Sequence, residues 1–136
     1  MFRPGRAELA REGDYLSIIS IGNMLEIGLK IADAFQENGV YCEVINCRSL
    51  KPIDKETLIK SIKKTNRVVV LEDNSEVGGL SSVVLGLLAE AKLNPEILSF
   101  GYPDSCIVHG SKSEVSRQYC MDFESIYEKI VETWGD

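Results

Sequence analysis

The chain has 136 residues, of which 44% are hydrophobic and 26% are charged, and its formal net charge is −6. This balance is typical of a globular domain and excludes a disordered chain. The acidic excess disfavours nucleic acid and anionic membrane surfaces as partners, because both are bound through clusters of Lys and Arg. No apolar run is long enough to span a bilayer and no signal-peptide pattern follows Met1, so we expect a single cytosolic domain over residues 1–136.

Several segments are expected to be β-strands, with helices between most of them. The near-continuous apolar runs 15–21 and 40–46 are typical of strands buried on both faces. We expect further strands over 67–71 and 95–100, and an edge strand over 7–11. Strands that alternate with helices imply right-handed crossovers and a three-layer α/β/α fold around a mostly parallel sheet.

Two helices are expected in the first half of the chain. The first is expected over 24–38, with Asn23 as its N-cap and Gly39 at the position that commonly follows a helix. The second is expected over 55–65, with Asp54 before it as a cap.

The second half of the chain contains two stripes of apolar residues at helical spacing. One stripe comprises Leu80, Val83, Val84, Leu87, Leu88 and Ala91, and the other comprises Phe123, Ile126, Tyr127, Ile130, Val131 and Trp134. Each stripe predicts a helix that packs on the sheet or on a partner rather than one that carries chemistry. Asp122 is expected to cap the last helix, and Ser111 with Glu114 has the capping-box spacing for a short helix before it.

A polar segment follows the fourth expected strand. Glu72, Asp73 and Asn74 come first, and the pair Gly78-Gly79 then opens the next helix. Ligands and partner surfaces meet the carboxyl ends of parallel strands, and the two glycines permit a turn that side chains would block. The segment therefore predicts a site or an interface, although Asp and Asn are also ordinary loop residues after a strand.

A second polar loop follows the last expected strand and contains Asp104, His109 and Gly110. Consecutive parallel strands would bring it to the same edge of the sheet as the segment that begins at Glu72. We expect these residues to lie near one another and to face a neighbouring domain. Cys106 and His109 could instead act as nucleophile and base, although their spacing in a loop does not fix their distance.

Other familiar catalytic and metal-binding patterns are absent. Segment 22–28 lacks the GxGxxG dinucleotide pattern and the Lys-Ser/Thr of a P-loop, so we interpret it as a simple strand-to-helix turn. Segment 79–86 lacks the nucleophile elbow of serine hydrolases. The cysteines are too widely spaced for a CxxC pair and, with one histidine, form no familiar zinc site. We expect Cys42 and Cys47 to be free, buried thiols, and we assign no catalytic, cofactor-binding or metal-binding residue.

Four longer motifs occur in order along the chain. They are SIGNMLEIGLKIA at 20–32, NCRSLKPID at 46–54, EDNSEVGGLSSVVLGLLAE at 72–90 and GYPDSCIVHGSKSEV at 101–115. Together they resemble the C-terminal domain of the 1-deoxy-D-xylulose-5-phosphate synthases, which are transketolase-like thiamine diphosphate enzymes. The similarity covers about residues 5–134, and four motifs in order are far more specific than any one of them.

The resemblance implies a five-stranded sheet with strand order 1-3-2-4-5, in which the first strand, 7–11, is antiparallel to the rest. It also implies a larger enzyme that joins pyruvate to glyceraldehyde 3-phosphate with loss of carbon dioxide. In that family two other domains hold thiamine diphosphate and Mg²⁺, and the enzyme is a homodimer. This chain is therefore expected to act in assembly with those domains, to bind no cofactor and to catalyse nothing alone.

Thiamine diphosphate enzymes hold their metal with a Gly-Asp-Gly motif that is followed some way on by Asn. Gly13-Asp14-Tyr15 with Asn38 imitates the opening and the interval, but its third residue differs. The segment also precedes an expected strand instead of following one. We therefore interpret it as a turn.

Two departures from the family pattern leave alternatives open. Cys106 stands where an aromatic residue is frequent, and Ser81 replaces a common glycine. The chain could come from a split transketolase or from the β-subunit of a 2-oxoacid dehydrogenase, although the run 102–110 fits the synthases better. An independent ligand-binding or regulatory α/β module is a further alternative.

Overall fold

The computed structural model describes residues 7–21, 24–47, 54–72, 80–100 and 123–134. In chain order its elements are β1 (Glu8–Arg11), β2 (Ser17–Ser20), α1 (Leu25–Gln36), β3 (Glu43–Asn46), α2 (Lys55–Thr65), β4 (Arg67–Leu71), α3 (Leu80–Ala91), β5 (Glu96–Phe100) and α4 (Phe123–Trp134). Every expected strand and the four long expected helices are present. The short helix expected from Ser111 and the cap expected at Asp122 lie outside the described residues.

The strands form one mixed sheet in the order β1-β3-β2-β4-β5. β1 pairs with β3 in antiparallel orientation, and the other neighbouring strands are parallel. An irregularity between Leu9 and Arg11 interrupts the register of β1. The predicted α/β/α fold, its strand order and its antiparallel first strand are confirmed.

Helices cover both faces of the sheet and enclose two apolar cores. Successive strand residues such as Val69 and Val70 belong to opposite cores, as the alternation of strand side chains requires. α1 and α4 pack over the core that contains Val69, and α2 and α3 pack over the core that contains Val70. Both predicted stripes supply fully or almost fully buried residues, namely Leu80, Val84, Leu87, Leu88, Ile126 and Ile130. The stripes are therefore core-packing surfaces.

The two ends of α1 are fixed in different ways. Met24 occupies the N-cap position and makes no side-chain cap hydrogen bond. The cap predicted at Asn23 lies outside the described residues. The Met24 side chain at this end of the helix is buried, with 3% exposed. At the other end Gly39 adopts a φ of +78°, and Val40 N–H donates to the Phe35 carbonyl at 3.0 Å, which ends the helix as predicted.

α2 has the ends that the sequence predicts. Asp54 Oδ1 accepts a hydrogen bond from Thr57 N–H at 3.2 Å, and Asp54 Oδ2 accepts one from the Thr57 hydroxyl at 2.6 Å. Ala7 N–H also donates to Asp54 Oδ2 at 2.9 Å, which ties the segment before β1 to this helix. Beyond the last turn, Asn66 adopts the left-handed conformation with a φ of 57°.

Polar side chains join α2 to the sheet near its carboxyl-terminal turns. Ser17 Oγ on the sheet side lies 2.6 Å from Ser61 Oγ of α2, and both residues are buried. The Glu43 carboxylate, whose side chain is 3% exposed, pairs with Lys64 Nζ at 2.5 Å. It also accepts a hydrogen bond from Gly13 N–H at 3.3 Å. α2 therefore docks on the sheet through hydroxyl and charged groups as well as through its apolar stripe.

β2 and β3 begin later than the sequence predicts, because the residues before them bond outside the ladder. The Tyr41 carbonyl accepts hydrogen bonds from Asp14 N–H and Tyr15 N–H, each at 3.1 Å. Val40 N–H is already bonded to the end of α1. Leu16 and Cys42 are thus buried outside the strands, whereas Tyr41 is 53% exposed.

Candidate interdomain site at the carboxyl edge of the sheet

The carboxyl ends of the parallel strands lie level with one another. Ser20 is in register with Asn46 on one side and with Leu71 on the other, and Leu71 is in register with Phe100. The segments that follow these strands therefore start at one edge of the sheet, where ligands and partners of α/β folds bind.

Most of the predicted site residues follow these strand ends in sequence. Glu72 is described, whereas Asp73, Asn74, Gly78, Gly79, Asp104, His109 and Gly110 lie outside the described residues. The expectation that they lie near one another and face a neighbouring domain stays a prediction.

Glu72 is the first residue beyond β4 and is 7% exposed. Its N–H donates to the Phe100 carbonyl at 3.1 Å, which ties the end of β4 to the end of β5. Its Oε1 accepts a hydrogen bond from Leu80 N–H at 2.9 Å, across eight positions of sequence. The carboxylate thereby satisfies one of the N–H groups at the start of α3, where the helix dipole favours negative charge. Glu72 thus acts as a remote cap for the start of α3.

The chain enters the described fold at this same edge. β1 runs antiparallel to β3 and pairs Glu8 with Asn46, the last residue of β3. Asn46 Nδ2 also donates to Glu8 Oε1 at 3.2 Å. Since Ala7 N–H binds Asp54 at the start of α2, Ala7 lies at the carboxyl edge of the sheet.

Two glycine motifs from the sequence have packing explanations. A Cβ at Gly13 would lie 2.4 Å from the Tyr41 carbonyl oxygen, so this position needs glycine for a tight turn before β2. A Cβ at Gly28 in α1 would lie 3.2 Å from Ile18 Cγ2, so glycine lets α1 approach the sheet closely. The observation at Gly13 agrees with the turn predicted there, whereas Gly22 and Asn23 of the turn predicted over 22–28 lie outside the described residues.

Cys42 and Cys47 are free and buried, as predicted. Burial raises the pKa of the Cys42 thiol to about 12. Burial, and after it the negative charge of Asp54, raises the pKa of the Cys47 thiol to about 12. Because the thiolate is the reactive form, both residues have packing roles at neutral pH. Cys106, considered with His109 as a nucleophile and base, lies outside the described residues.

The sequence did not predict an open groove of about 600 Å³ at the opposite, amino edge of the sheet. Tyr15, Tyr41, Arg67 and Glu96 line it, among others. The Arg67 guanidinium lies 4.9 Å from the centre of the Tyr15 ring, which is a cation–π distance. These residues stand far apart in sequence, near the starts of different strands, so no local pattern indicates the groove. Charges of both signs line it and favour no single class of ligand.

Within the described ranges, no three His, Cys, Asp or Glu side chains come together in a way that could hold a metal ion. Among the described helices, none has the length and apolar character needed to cross a membrane.

Comparisons with known proteins agree on one family. The family model described as transketolase, C-terminal domain, matches residues 5–126. The 1-deoxy-D-xylulose-5-phosphate synthase of Clostridium acetobutylicum is 32% identical over 130 residues, which are 96% of this chain and 21% of the relative. The synthase of Heliobacterium modesticaldum is 36% identical over 122 residues, which are 90% of this chain and 19% of the relative. The chain thus spans about a fifth of the length of these curated relatives.

A solved structure shares the fold. It is named as a split gene transketolase in an inactive beta4 tetramer, and it matches with a TM-score of 0.86 and 28% identity. The match covers 96% of this chain and 43% of that one. With the family model matching most of its length and the same fold in a solved relative, the chain belongs to the transketolase C-terminal domain family.

Proposed function

We propose that the chain is the C-terminal domain of a thiamine diphosphate-dependent 1-deoxy-D-xylulose-5-phosphate synthase. It would contribute to interdomain and dimer assembly and would not be catalytic alone. The whole enzyme would join pyruvate to glyceraldehyde 3-phosphate with loss of carbon dioxide. The synthases that match nearly all of this chain, and of which it spans about a fifth, support this assignment.

One structural observation carries the assembly role. Ala7 lies at the carboxyl edge of the sheet, where Glu72 Oε1 accepts a hydrogen bond from Leu80 N–H at the start of α3. Domains that precede Ala7 in a longer chain would therefore be attached at the edge of the sheet that contains Glu72. Charged groups at such an edge orient a partner more than they strengthen its binding.

Thiamine diphosphate and Mg²⁺ are expected to bind the other domains of the full enzyme rather than this chain. Titration calorimetry of the chain with the cofactor and magnesium chloride tests this expectation. We expect no heat of binding. Magnesium-dependent binding at micromolar concentration would contradict it.

The whole assignment can be tested with a chimera. The C-terminal domain of the Clostridium acetobutylicum synthase is replaced by this chain, and product formation from pyruvate and glyceraldehyde 3-phosphate is measured. We expect activity in the chimera and none in the relative truncated before its C-terminal domain. A chimera that folds and assembles but forms no product would contradict the assignment.

The predicted site residues can be tested in the same chimera. Asp73→Ala and His109→Ala are expected to impair assembly or turnover by more than their effect on the stability of the domain. Asp33→Ala, which removes an exposed carboxylate from α1, is the matched control and should leave both unchanged. If Asp73→Ala and His109→Ala retain the parent's kinetics and association, both residues are ordinary loop residues.

The solved relative favours a second candidate, the C-terminal part of a split transketolase. A chimera built on a transketolase would distinguish the two candidates. Ketol transfer between sugar phosphates by that chimera, with no activity on the synthase frame, would favour the split transketolase.

A further inference from the structure

The groove at the amino edge of the sheet contains an arginine that has no carboxylate partner. Arg67 is half-buried and lines the groove together with two exposed carboxylates, Asp14 and Glu96. Among the described residues, neither carboxylate forms an ion pair with the Arg67 guanidinium, and none accepts a hydrogen bond from it. The guanidinium instead lies over the Tyr15 ring, 4.9 Å from its centre. A cation–π contact uses no hydrogen bond, so the N–H donors of Arg67 remain available to an acceptor.

The positions of Arg67 and Glu96 would allow them to pair with each other. They are register partners on the parallel strands β4 and β5. Such partners project from the same face of a sheet whose strands lie about 4.8 Å apart, and opposite charges there stabilise the sheet when they pair. Arg67 instead turns to Tyr15, which precedes β2 on the other side of β4. The two opposite charges are therefore presented separately to the groove.

The aromatic ring under Arg67 is itself fixed in place. The Tyr15 hydroxyl donates a hydrogen bond to the Trp134 carbonyl at 3.2 Å, and the centre of the Phe35 ring lies 5.4 Å from that of Tyr15. Tyr15 N–H also donates to the Tyr41 carbonyl at 3.1 Å. The surface on which the guanidinium rests is thus formed before any ligand arrives, which lowers the ordering cost of binding.

The groove also has a negative side formed by helix ends. Gly39 and Asn66, which line it, follow the last turns of α1 and α2 and have φ values of 78° and 57°. The C-terminus of a helix carries partial negative charge, so these ends and the two carboxylates favour a cation, whereas Arg67 favours an anion. A purely anionic or purely cationic ligand would meet repulsion here. A ligand that carries both charges meets a complementary group for each.

Tyr41 adds an aromatic surface to these charges. It lines the groove and is 53% exposed. Exposed rings of this kind pair with the ring of a ligand in stacked or edge-to-face arrangements. The groove volume of about 600 Å³ lies within the range of small-molecule sites. The groove therefore has room for a ring beside a doubly charged head group.

We propose that the groove at the amino edge binds a free α-amino acid with an aromatic side chain. The Arg67 guanidinium donates to the ligand carboxylate, whose two oxygens suit its planar fork. The ligand ammonium group lies on the side of Asp14 and Glu96, and the ligand ring packs on Tyr41. The site lies at the edge of the sheet opposite the candidate interdomain site, so this inference does not depend on the proposed function.

Nuclear magnetic resonance titration of the ¹⁵N-labelled chain with L-phenylalanine tests the proposal. We expect saturable shifts of the Arg67 Nε–H signal and of the Gly39 and Asn66 amides. The dissociation constant should be about 1 mM, a value typical of a small ligand in an open groove. The Leu80 amide at the carboxyl edge should not move. Absence of saturable shifts up to about 20 mM, or shifts confined to the carboxyl edge, overturns the proposal.

Three analogues, each without one part of the ligand, test what the groove recognises. L-phenylalaninamide lacks the carboxylate, N-acetyl-L-phenylalanine lacks the ammonium group and L-alanine lacks the ring. Loss of either charge should weaken binding about tenfold, and loss of the ring about threefold or more. Any analogue that binds as tightly as L-phenylalanine overturns the proposal. The two charged analogues also imitate the ends of a peptide, so weak binding of both separates a free amino acid from a peptide terminus.

Arg67→Met tests the assigned contact with the carboxylate. It should weaken L-phenylalanine binding about tenfold without weakening that of L-phenylalaninamide, which has no carboxylate to lose. Arg67→Lys keeps the charge but not the fork, and about threefold weaker binding is expected. Arg11→Met, at an exposed arginine on β1, is the matched control and should leave both ligands unaffected. An equal loss of both ligands in Arg67→Met, or a similar loss in Arg11→Met, overturns the assignment.

Glu96→Gln tests the other charge in the same way. It should weaken L-phenylalanine binding about threefold, since Asp14 remains, and leave N-acetyl-L-phenylalanine unaffected. Glu26→Gln, at an exposed carboxylate in the first turn of α1, is its control. Equal weakening of both ligands by Glu96→Gln contradicts the proposed position of the ammonium group. The analogue comparison uses the unaltered chain, so it decides the question even where a variant fails to fold. None of these results depends on whether the chimera makes product.

Discussion

α2 and α3 lie side by side on one face of the sheet, yet they are secured in different ways. The N-terminus of α2 is capped by a residue close in sequence, because Asp54 accepts a hydrogen bond from the N–H of Thr57, three positions later. α3 begins at a cap that comes from the end of the preceding strand, since Glu72 accepts one from Leu80 N–H. α2 also ends in Lys63 and Lys64, which complement the helix dipole, whereas α3 has no basic residue in its last turn.

α2 and α3 therefore obtain their stability from different sources. α2 carries its capping group and its dipole-compensating charges in its own sequence. α3 depends on its apolar stripe and on a carboxylate placed by β4. We therefore expect changes near α2 to act strongly and locally, and changes at Glu72 to loosen the start of α3 and its connection to the carboxyl edge.

The largest expected effect is that of Asp54→Ala. The substitution removes the acceptor for Thr57 N–H, for the Thr57 hydroxyl and for Ala7 N–H, so we expect the free energy of unfolding to fall by about 2–3 kcal/mol. Urea denaturation measures this loss. Asp33→Ala removes an exposed ion pair with Arg11 and is the control, with an expected loss below about 0.5 kcal/mol. Equal losses in the two variants would remove the distinction between α2 and an ordinary surface helix.

Lys64→Met is expected to have the next largest effect and to lower the free energy of unfolding by about 2 kcal/mol. The substitution leaves the buried Glu43 carboxylate without its cationic partner. Because Lys64 is 45% exposed, water that takes its place can partly solvate the carboxylate and reduce the cost. Lys63→Met, at the exposed neighbouring position, is the control. Adding Glu43→Gln to Lys64→Met should restore part of the stability, since the uncompensated charge is gone. A double variant less stable than either single variant would contradict this account.

Glu72→Ala is expected to destabilise the chain by about 1–2 kcal/mol, because it leaves Leu80 N–H without the acceptor that caps α3. Amide hydrogen exchange gives the sharper readout. Exchange should accelerate in the first turn of α3 and stay unchanged in the first turn of α2. Glu72→Gln keeps an acceptor oxygen and should exchange more like the wild type. Acceleration spread evenly over both helices would argue against a local cap.

The smallest expected effect links Asp54 to a thiol. Burial raises the pKa of both Cys42 and Cys47 to about 12, but the charge of Asp54 adds to the effect of burial only at Cys47. Asp54→Asn should therefore lower the pKa of Cys47 and leave that of Cys42 unchanged. The ¹³Cβ chemical shifts of the two residues, followed against pH, measure both values. A parallel shift at both thiols would indicate general loosening instead.

The same pKa shifts predict how stability depends on pH. An unfolded thiol loses its proton near its ordinary pKa of 9.0, whereas the folded thiols keep theirs up to about 12. The folded state thus holds more protons between these values, and the free energy of unfolding should fall as pH rises from about 9 towards 12. Urea denaturation at increasing pH tests this, and a flat profile above pH 9 would contradict it.

The sequence predicted those features whose causes are local. The bounds of α2 and β4 agree with expectation because a capping Asp, a left-handed Asn66 and a run of β-branched residues act at short range. The resemblance supplied the strand order and the antiparallel β1, which periodicity does not encode.

Other features depend on contacts between distant residues and were missed. The sequence of Val40 and Tyr41 resembles the start of a strand. In the structure, however, Val40 N–H binds the last turn of α1, and the Tyr41 carbonyl accepts hydrogen bonds from the turn at Asp14. At the candidate site, the position of Glu72 directly after a strand predicted that it lies at the edge of the sheet. Its hydrogen bond with Leu80 N–H was not predicted, because it depends on the relative positions of β4 and α3 in the folded domain. The groove at the amino edge likewise joins residues that only the folded sheet brings together.

The hydrogen bond from the Tyr15 hydroxyl to the Trp134 carbonyl has a practical consequence. It fixes the last turn of α4 near the start of β2, whereas Ala7 lies beside the strand ends on the far side of the sheet. Ala7 and Trp134 therefore lie at opposite edges of the sheet, Ala7 at the carboxyl edge and Trp134 at the amino edge. A fluorophore on the exposed Thr133 would lie at the amino edge of the sheet, away from the point at which a preceding domain is attached. It could therefore report the binding of such a domain at the carboxyl edge without obstructing it.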